Sequence, residues 1–201
     1  MTTTTTYPNG QALVSTALTP TTLNTAIQAL TCGMIGSAVN YALVKAEWAQ
    51  EGQPFTRDPN TDGVYVNCTP APVEYALPRD KGYTSSGGPV TEVHLYTKGW
   101  RVAWVAYGPT AEDYMRMVRS AMFQDYFIDQ LSALNLYPVP DPPEVVYLKE
   151  EFNAQWWPRA DFSITMYEAV TETIQSGKAT SLEIKVYDSN GQVADTTITT
   201  A

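Results

Sequence analysis

The chain has 201 residues, 44% of them hydrophobic, and a formal net charge of −9. That is enough apolar material for one domain with a real core. It is too acidic for a protein that grips nucleic acid, because phosphate binding rests on Lys and Arg. The charge is uneven: no charged side chain precedes Lys45, whereas from Asp141 onward ten Asp or Glu stand against four Lys or Arg.

Residues 1–19, opening MTTTTTYPNG, read as a Thr-rich arm, mobile and outside the domain. They lack the basic start and apolar run of a secretory signal, and no stretch approaches the roughly 18 apolar residues of a membrane span. The expected setting is the cytosol, with no membrane contact. Cys32 and Cys68 are then expected as free, buried thiols, and the sequon at Asn67 carries no weight.

Pro20 opens a short helix with Leu23, Ile27 and Leu30 at helical spacing, which Gly33 and Gly36 should break. Val39, Tyr41 and Leu43 alternate as a strand would, and residues 64–69 and 72–77 read as two more. Residues 79–89 are polar and Gly-rich and read as a mobile loop. Residues 90–108 alternate in two runs around Lys98-Gly99, the pattern of a hairpin. Thr110 should cap one long helix running to about Asn135, with Glu112 and Arg116 as an i,i+4 pair. On a helical projection Tyr114, Met117, Val118, Ala121, Met122 and Ile128 fall on the sheet-facing side. Phe123, Tyr126 and Phe127 leave the second half apolar nearly all round.

Trp156 and Trp157 precede the alternating stretch 160–170. Neighbours in a strand point to opposite faces, so one tryptophan can enter the core while the other needs a second surface. Residues 181–188 read as a further strand, 188–191 as a turn, and 189–201 as an edge strand or tail. The pattern as a whole predicts an α+β fold: residues 20–201 form one domain, a single largely antiparallel sheet with one long helix and one or two shorter ones packed on it.

Catalytic chemistry has few parts to work with. His94 is the only histidine. Alone it makes neither a conventional triad nor a His-rich metal site, and it reads as a satisfied strand residue. Asp58, Asn60, Asp62 and Gly63 imitate the start of a calcium loop, but Thr69 stands where the bidentate Glu belongs, so a plain turn is expected. Nucleophile elbow, P-loop and dinucleotide fingerprints are absent. No catalytic, cofactor-binding or metal residue is expected, and the protein is expected not to be an enzyme. The surplus of aromatic surface points to interfaces instead. Phe123, Tyr126, Phe127, Trp156 and Trp157, with Tyr83 in the loop, are the candidate interface residues.

The order of motifs from WVAYGPTAEDY, through LSALNLYPVP, to EEFNAQWWPRADFSITMYEAV resembles the neck and tail-terminator proteins of tailed bacteriophages, in particular the neck terminator family. Tyr107, Gly108, Ala111, Trp157, Arg159 and Ala160 stand at the family's positions. The resemblance implies a small α+β virion protein, assembled in the host cytoplasm, that forms a ring, commonly of six copies. Such a ring caps the tail tube, ends tail growth and joins the tail to the head connector. Its implied partners are itself, the tail tube protein, the head-tail connector or adaptor and the sheath protein. DNA would pass through the lumen without specific binding, past a wall rich in carboxylates. Two other readings are a head-completion protein of the same neck, and a small-molecule-binding module or hydrolase with a cleft near His94.

Overall fold

The computed structural model describes residues 2–8, 11–36, 42–46, 61–72, 80–84, 90–152, 154–176, 181–187 and 193–199. In chain order the elements are β1 (Thr3–Thr6), β2 (Ala12–Ser15), α1 (Pro20–Met34), β3 (Val44–Ala46), β4 (Gly63–Ala71), β5 (Asp80–Thr84), β6 (Val90–Tyr107), α2 (Ala111–Ala121), α3 (Asp125–Ser132), β7 (Leu136–Pro138), β8 (Val146–Phe152), β9 (Gln155–Ser176), β10 (Ser181–Tyr187) and β11 (Val193–Thr199). The α+β architecture read from the sequence is the one observed.

β6 and β9 form the spine. They pair antiparallel without interruption from Val90↔Ser176 to Tyr107↔Arg159. The 18 residues of β6 make this ribbon about 60 Å long at ~3.3 Å per residue. The hairpin expected around Lys98-Gly99 is therefore not there. Lys98 and Gly99 sit opposite Glu168 and Tyr167, in the middle of the ladder. Alternation is the same for one long strand as for two short ones, and the partner that holds the chain straight lies some 70 residues further on in sequence.

Short strands tile both edges of the spine. Along β6, β4 covers Gly99–Tyr107 and β5 covers Thr91–Leu95. Along β9, β8 covers 155–161, β7 covers Met166–Glu168 and β2 covers Glu172–Ile174. β3 adds to β4 as a parallel strand, and β1 to β2 as an antiparallel one. Two expectations change here. Part of the segment read as a mobile loop is strand β5, and the Thr-rich arm contributes β1 and β2 to the sheet. Neither has a strong strand signature of its own; each is held by backbone hydrogen bonds to an edge that the spine leaves open. β10 and β11 pair with each other in a separate two-stranded sheet. Residues 73–77 of the strand read at 72–77, the turn at 188–191 and residues 58–60 of the calcium-like segment lie outside the described residues.

The helices cover one face of one half of the spine. Trp100, Val102, Trp104 and Ala106 of β6 and Ala160, Phe162, Ile164 and Met166 of β9 are buried there, against Leu23 and Ile27 of α1, Met115 and Val118 of α2 and Leu131 of α3. Trp104 stacks on Phe162 with ring centroids 5.4 Å apart. Its indole N–H donates to Thr31 Oγ1 at 2.9 Å, so the largest core side chain buries no unpaired polar atom. Both cysteines are free and buried.

α1 begins as expected: Thr19 caps it, its hydroxyl accepting from the Thr22 amide at 3.2 Å, with Pro20 at the first position. It runs through Gly33, however, and ends near Gly36, whose φ of +69° a side chain would resist. A Cβ on Gly33 would stand 3.6 Å from Phe127, so this glycine lies where α1 and α3 approach.

The expected long helix is two. The chain breaks after Met122, and Gln124 at the start of α3 is extended, with φ −97° and ψ 125°. No Gly or Pro marks the break. Turning there lets Phe127 and Leu131 reach the core that α2 already lines, which a straight helix with apolar residues all round could not do. The buried face of α2 is Ala111, Met115, Val118 and Ala121. Met117, assigned to that face from the projection, is exposed.

One buried polar group ties the helical half to the rest of the spine. Glu168 is 1% exposed. Its carboxyl accepts from the Leu18 amide at 2.5 Å and from Trp100 Nε1 at 2.6 Å. Lys98 lies over the Trp100 ring at 4.1 Å and donates to the Leu18 carbonyl at 3.2 Å. The entry to α1 is thereby pinned to the sheet. Replacing Glu168 by Leu leaves two buried donors unpaired, at roughly 1–3 kcal/mol each. Urea denaturation is expected to show a loss of about 3 kcal/mol for Glu168→Leu and a smaller one for Glu168→Gln, which keeps one acceptor. A Leu variant as stable as the parent would remove this network from the account of the fold.

Candidate assembly surface

The end of β6 is built around a glycine. Gly108 has a φ of +106°, and a Cβ there would lie 2.5 Å from Asp62 Oδ1 and 2.8 Å from the Asp62 Cα, so only Gly fits. The room is used by Asp62, whose Oδ1 accepts from the Thr110 amide at 2.9 Å. Asp62 thus fixes the residue ahead of α2, and does not replace the first-turn cap expected from the Thr110 hydroxyl. That hydroxyl caps nothing and is buried without a partner among the described residues. A carboxylate at the first turn of α2 suits the helix dipole.

Arg159 stands beside this corner. It pairs with Asp161 through Nε at 2.7 Å and Nη2 at 2.7 Å, and with Glu150 through Nη1 at 3.0 Å. The Tyr107 hydroxyl donates to the same Glu150 oxygen at 2.9 Å, and the Tyr107 ring lies 5.8 Å from the guanidinium. The forked pairing with Asp161 holds the Arg159 cation above the usual guanidinium range, burial opposing it. Arg159, Tyr107 and Glu150 join three strands, and beyond them β6 stops. Among the described residues the β6 ladder ends at Tyr107↔Arg159, the Gly108 amide reaches one residue further to Pro158, and the 155–157 stretch of β9 has its strand partner in β8, so the tip of the β8–β9 hairpin overhangs the end of the sheet.

The two tryptophans sit on that overhang and differ in exposure as alternation requires. Trp157 is 3% exposed and Trp156 is 64% exposed. Val146, Tyr147 and Leu148 of β8 are also exposed. A second exposed group lies at the α2–α3 corner, where Phe123 is 57% and Tyr126 67% exposed, while Phe127 is turned into the core. Two arginines line the path between the groups. Arg119 lies 5.6 Å from the Phe123 ring and pairs with Glu144 at 2.8 Å. Arg116 donates to the Tyr147 hydroxyl at 3.1 Å and pairs with Glu112 at 2.7 Å, the ion pair expected from the spacing. Tyr83, on β5, is 66% exposed and remote from both groups along the sheet. Of the six interface candidates, four are open on the surface, and Trp157 and Phe127 are covered by the chain itself. Val146, Tyr147 and Leu148 had no sequence signal, because exposure on both sides of an edge strand is decided by what packs nearby.

Two clefts open near the hairpin. One of about 410 Å³ is lined by Arg101, Val105, Pro143, Val146, Arg159 and Asp161, among others. One of about 290 Å³ lies between Gly108, Pro109, Ala111, Tyr147, Leu148 and Lys149. His94 is in neither. It is buried on the spine, its Nε2 bonded to Glu92 at 2.7 Å, and its Nδ1 has no partner among the described residues, so it is only half satisfied. Among the described residues no group of three or more His, Cys, Asp or Glu could hold a metal, and no helix is long and apolar enough to cross a membrane.

The residues that carried the resemblance thus converge. Tyr107 pairs with Arg159, Ala160 lies opposite Ala106, Gly108 donates its N–H to the Pro158 carbonyl at 3.3 Å, and Ala111 is buried at the start of α2. The description of the phage neck terminator proteins matches residues 21–196. The chain belongs to this family. It is a structural protein of the phage neck, a component of the virion, and that place brings it against other tail and head proteins. A comparison with curated proteins finds no match. In this neck terminator the signature residues serve mainly as the base that carries the overhanging hairpin.

Arg159→Ala leaves Glu150 and Asp161 on one small patch without their cation. Because Arg159 is about a quarter exposed, solvent discounts the effect. A loss of about 1–2 kcal/mol is expected, with faster amide exchange at Lys149–Glu151. Unchanged exchange there would show that the hairpin is held by its backbone ladder alone.

Glu92 supplies a pH test. Its hydrogen bond to His94, and then that to Lys81, hold its carboxyl below the ordinary value of 4.5. A depressed folded value means that the contribution is present above the ordinary value and is lost as pH falls through the lower folded one. The thermal midpoint of Glu92→Gln should therefore fall short of the parent's near neutral pH and converge with it in strong acid. Parallel curves would refute the assignment.

Proposed function

We propose that this chain forms a closed ring that caps the tail tube, ends tail growth and joins the tail to the head connector. The observation that carries this reading is that Tyr83, Phe123, Tyr126 and Trp156, the four most exposed aromatics among the described residues, each stand more than half open on a neck protein. Exposed Trp, Tyr and Phe flanked by Arg is the composition of interface centres. A tube that grows head to tail needs a surface that stops further addition, and a ring of heterologous contacts closes on itself while leaving one face for the tube and one for the connector. Phe123, Tyr126 and Trp156 fit contacts between copies or with the tube protein. The sheath protein is a further neighbour at this level of the virion. Genome DNA would cross the lumen without specific binding, consistent with the excess of acids over bases. A hydrolase or small-molecule module working near His94 draws no support from the clefts described above.

The test is the native mass of the purified protein, alone and mixed with tube protein. A discrete multiple of the chain mass, binding to tube ends but not along tubes, is expected. A monomer that leaves tube length unchanged would refute the reading. Phe123→Asp and Trp156→Asp each place an unpaired charge in a contact, so association is expected to weaken by several kcal/mol while the thermal midpoint of the monomer changes little.

A further inference from the structure

We propose that neighbouring copies join edge to edge, β1 of one copy adding as a parallel strand to β5 of the next. The proposal rests on the ring reading above and specifies its seam. Among the described residues no helix packs on the spine beyond Gly99 toward Val90, and the sheet there has the order β1-β2-β9-β6-β5. Its two outermost strands are open: among the described residues β1 pairs only with β2, and β5 only with β6.

The open edges occupy the same rows of the sheet. Following the register across gives Thr3–Ser15–Glu172–His94–Lys81, then Thr4–Val14–Thr173–Val93–Gly82, then Thr5–Leu13–Ile174–Glu92–Tyr83. Thr6 and Thr84 lie one residue further on. Each neighbouring pair in this order is antiparallel, so β1, β9 and β5 all run the same way. Rotation about a ring axis keeps the direction of a strand along that axis, so the edge of one copy meets the edge of the next in parallel. A heterologous ring contact needs two different, mutually fitting surfaces on each copy. Two open edges at the same level on opposite sides of one sheet meet that requirement.

The chemistry of the edges agrees. Natural edge strands are guarded by charge or Pro, and β8 carries Lys149, Glu150 and Glu151 while β3 carries Lys45. β1 is four threonines, all exposed, with neither charge nor Pro. On β5 the one charge within the shared rows, Lys81, is directed to Glu92 of the neighbouring strand at 3.2 Å. A four-residue seam falls far short of the roughly 1,200–2,000 Å² of a stable interface. It sets the position and register of the copies, while exposed aromatics, including Tyr83 beside the seam, supply area.

The full chain can be tested by disulfide trapping. Thr4→Cys or Thr5→Cys is combined with Gly82→Cys or Tyr83→Cys in the four possible pairs, the native Cys32 and Cys68 being buried. Within one copy the two edges are four strand spacings apart, about 19 Å, too far for a disulfide. Oxidation of assembled protein is expected to give a ladder of covalent multiples ending at the ring size, in at least one combination. Removal of residues 1–7, whose β1 buries no side chain, should leave a folded monomer and raise the concentration for half-assembly by at least about tenfold. Rings that form without trapping in any combination, or that tolerate the truncation, overturn the seam while leaving the ring reading intact. A parent protein that forms no ring overturns both.

Discussion

The antiparallel ladder between β6 and β9 is the constraint on which everything else depends. Its length exceeds what any other element can cover. Neighbours must therefore be assembled piecewise along both edges, and the helices reach only one half of one face. The division of the molecule follows from that mismatch. Where α1, α2 and α3 cover the spine, side chains such as Trp100, Trp104 and Phe162 are buried. Where they do not, the described residues of the sheet are mostly threonines and partly exposed side chains, with His94 and Ser15 buried. At the other extreme β9 outruns β6, and the surplus length becomes the overhanging hairpin.

Polar groups hold these parts in relation to one another. Glu168 pins the entry of α1, Asp62 holds the residue ahead of α2 across the space that Gly108 leaves, and Arg159 binds the hairpin to the last pair of the spine. Each is buried or half-buried and satisfied by named partners, the condition under which polar groups position a structure at little cost. Their use is geometric: they hold the helices and the hairpin that carry the exposed aromatic side chains in fixed relation.

Alternation and composition made much of this legible. The α+β class, the helix after Pro20, the strands at 64–69 and 160–170, the opposite fates of Trp156 and Trp157 and the Glu112–Arg116 pair all follow from local rules of period and capping. So did the family, from short motifs in their order. The misreadings share one cause. The hairpin at Lys98-Gly99, a loop across Asp80–Thr84, a free Thr-rich arm and an unbroken helix are what each segment suggests alone, whereas the outcome is decided by a partner distant in sequence.

The sequence by itself therefore determined which segments can be strand or helix, because side-chain periodicity and capping act over a few residues. It determined too that the chain carries more aromatic surface than catalytic equipment. Only the tertiary structure decided which strands continue and which turn, since backbone donors and acceptors are satisfied by whichever edge is adjacent. It alone turned Phe127 and Trp157 inward and left Phe123, Tyr126 and Trp156 outward. Exposure belongs to the packed surroundings of a side chain, and no residue carries it in its own identity.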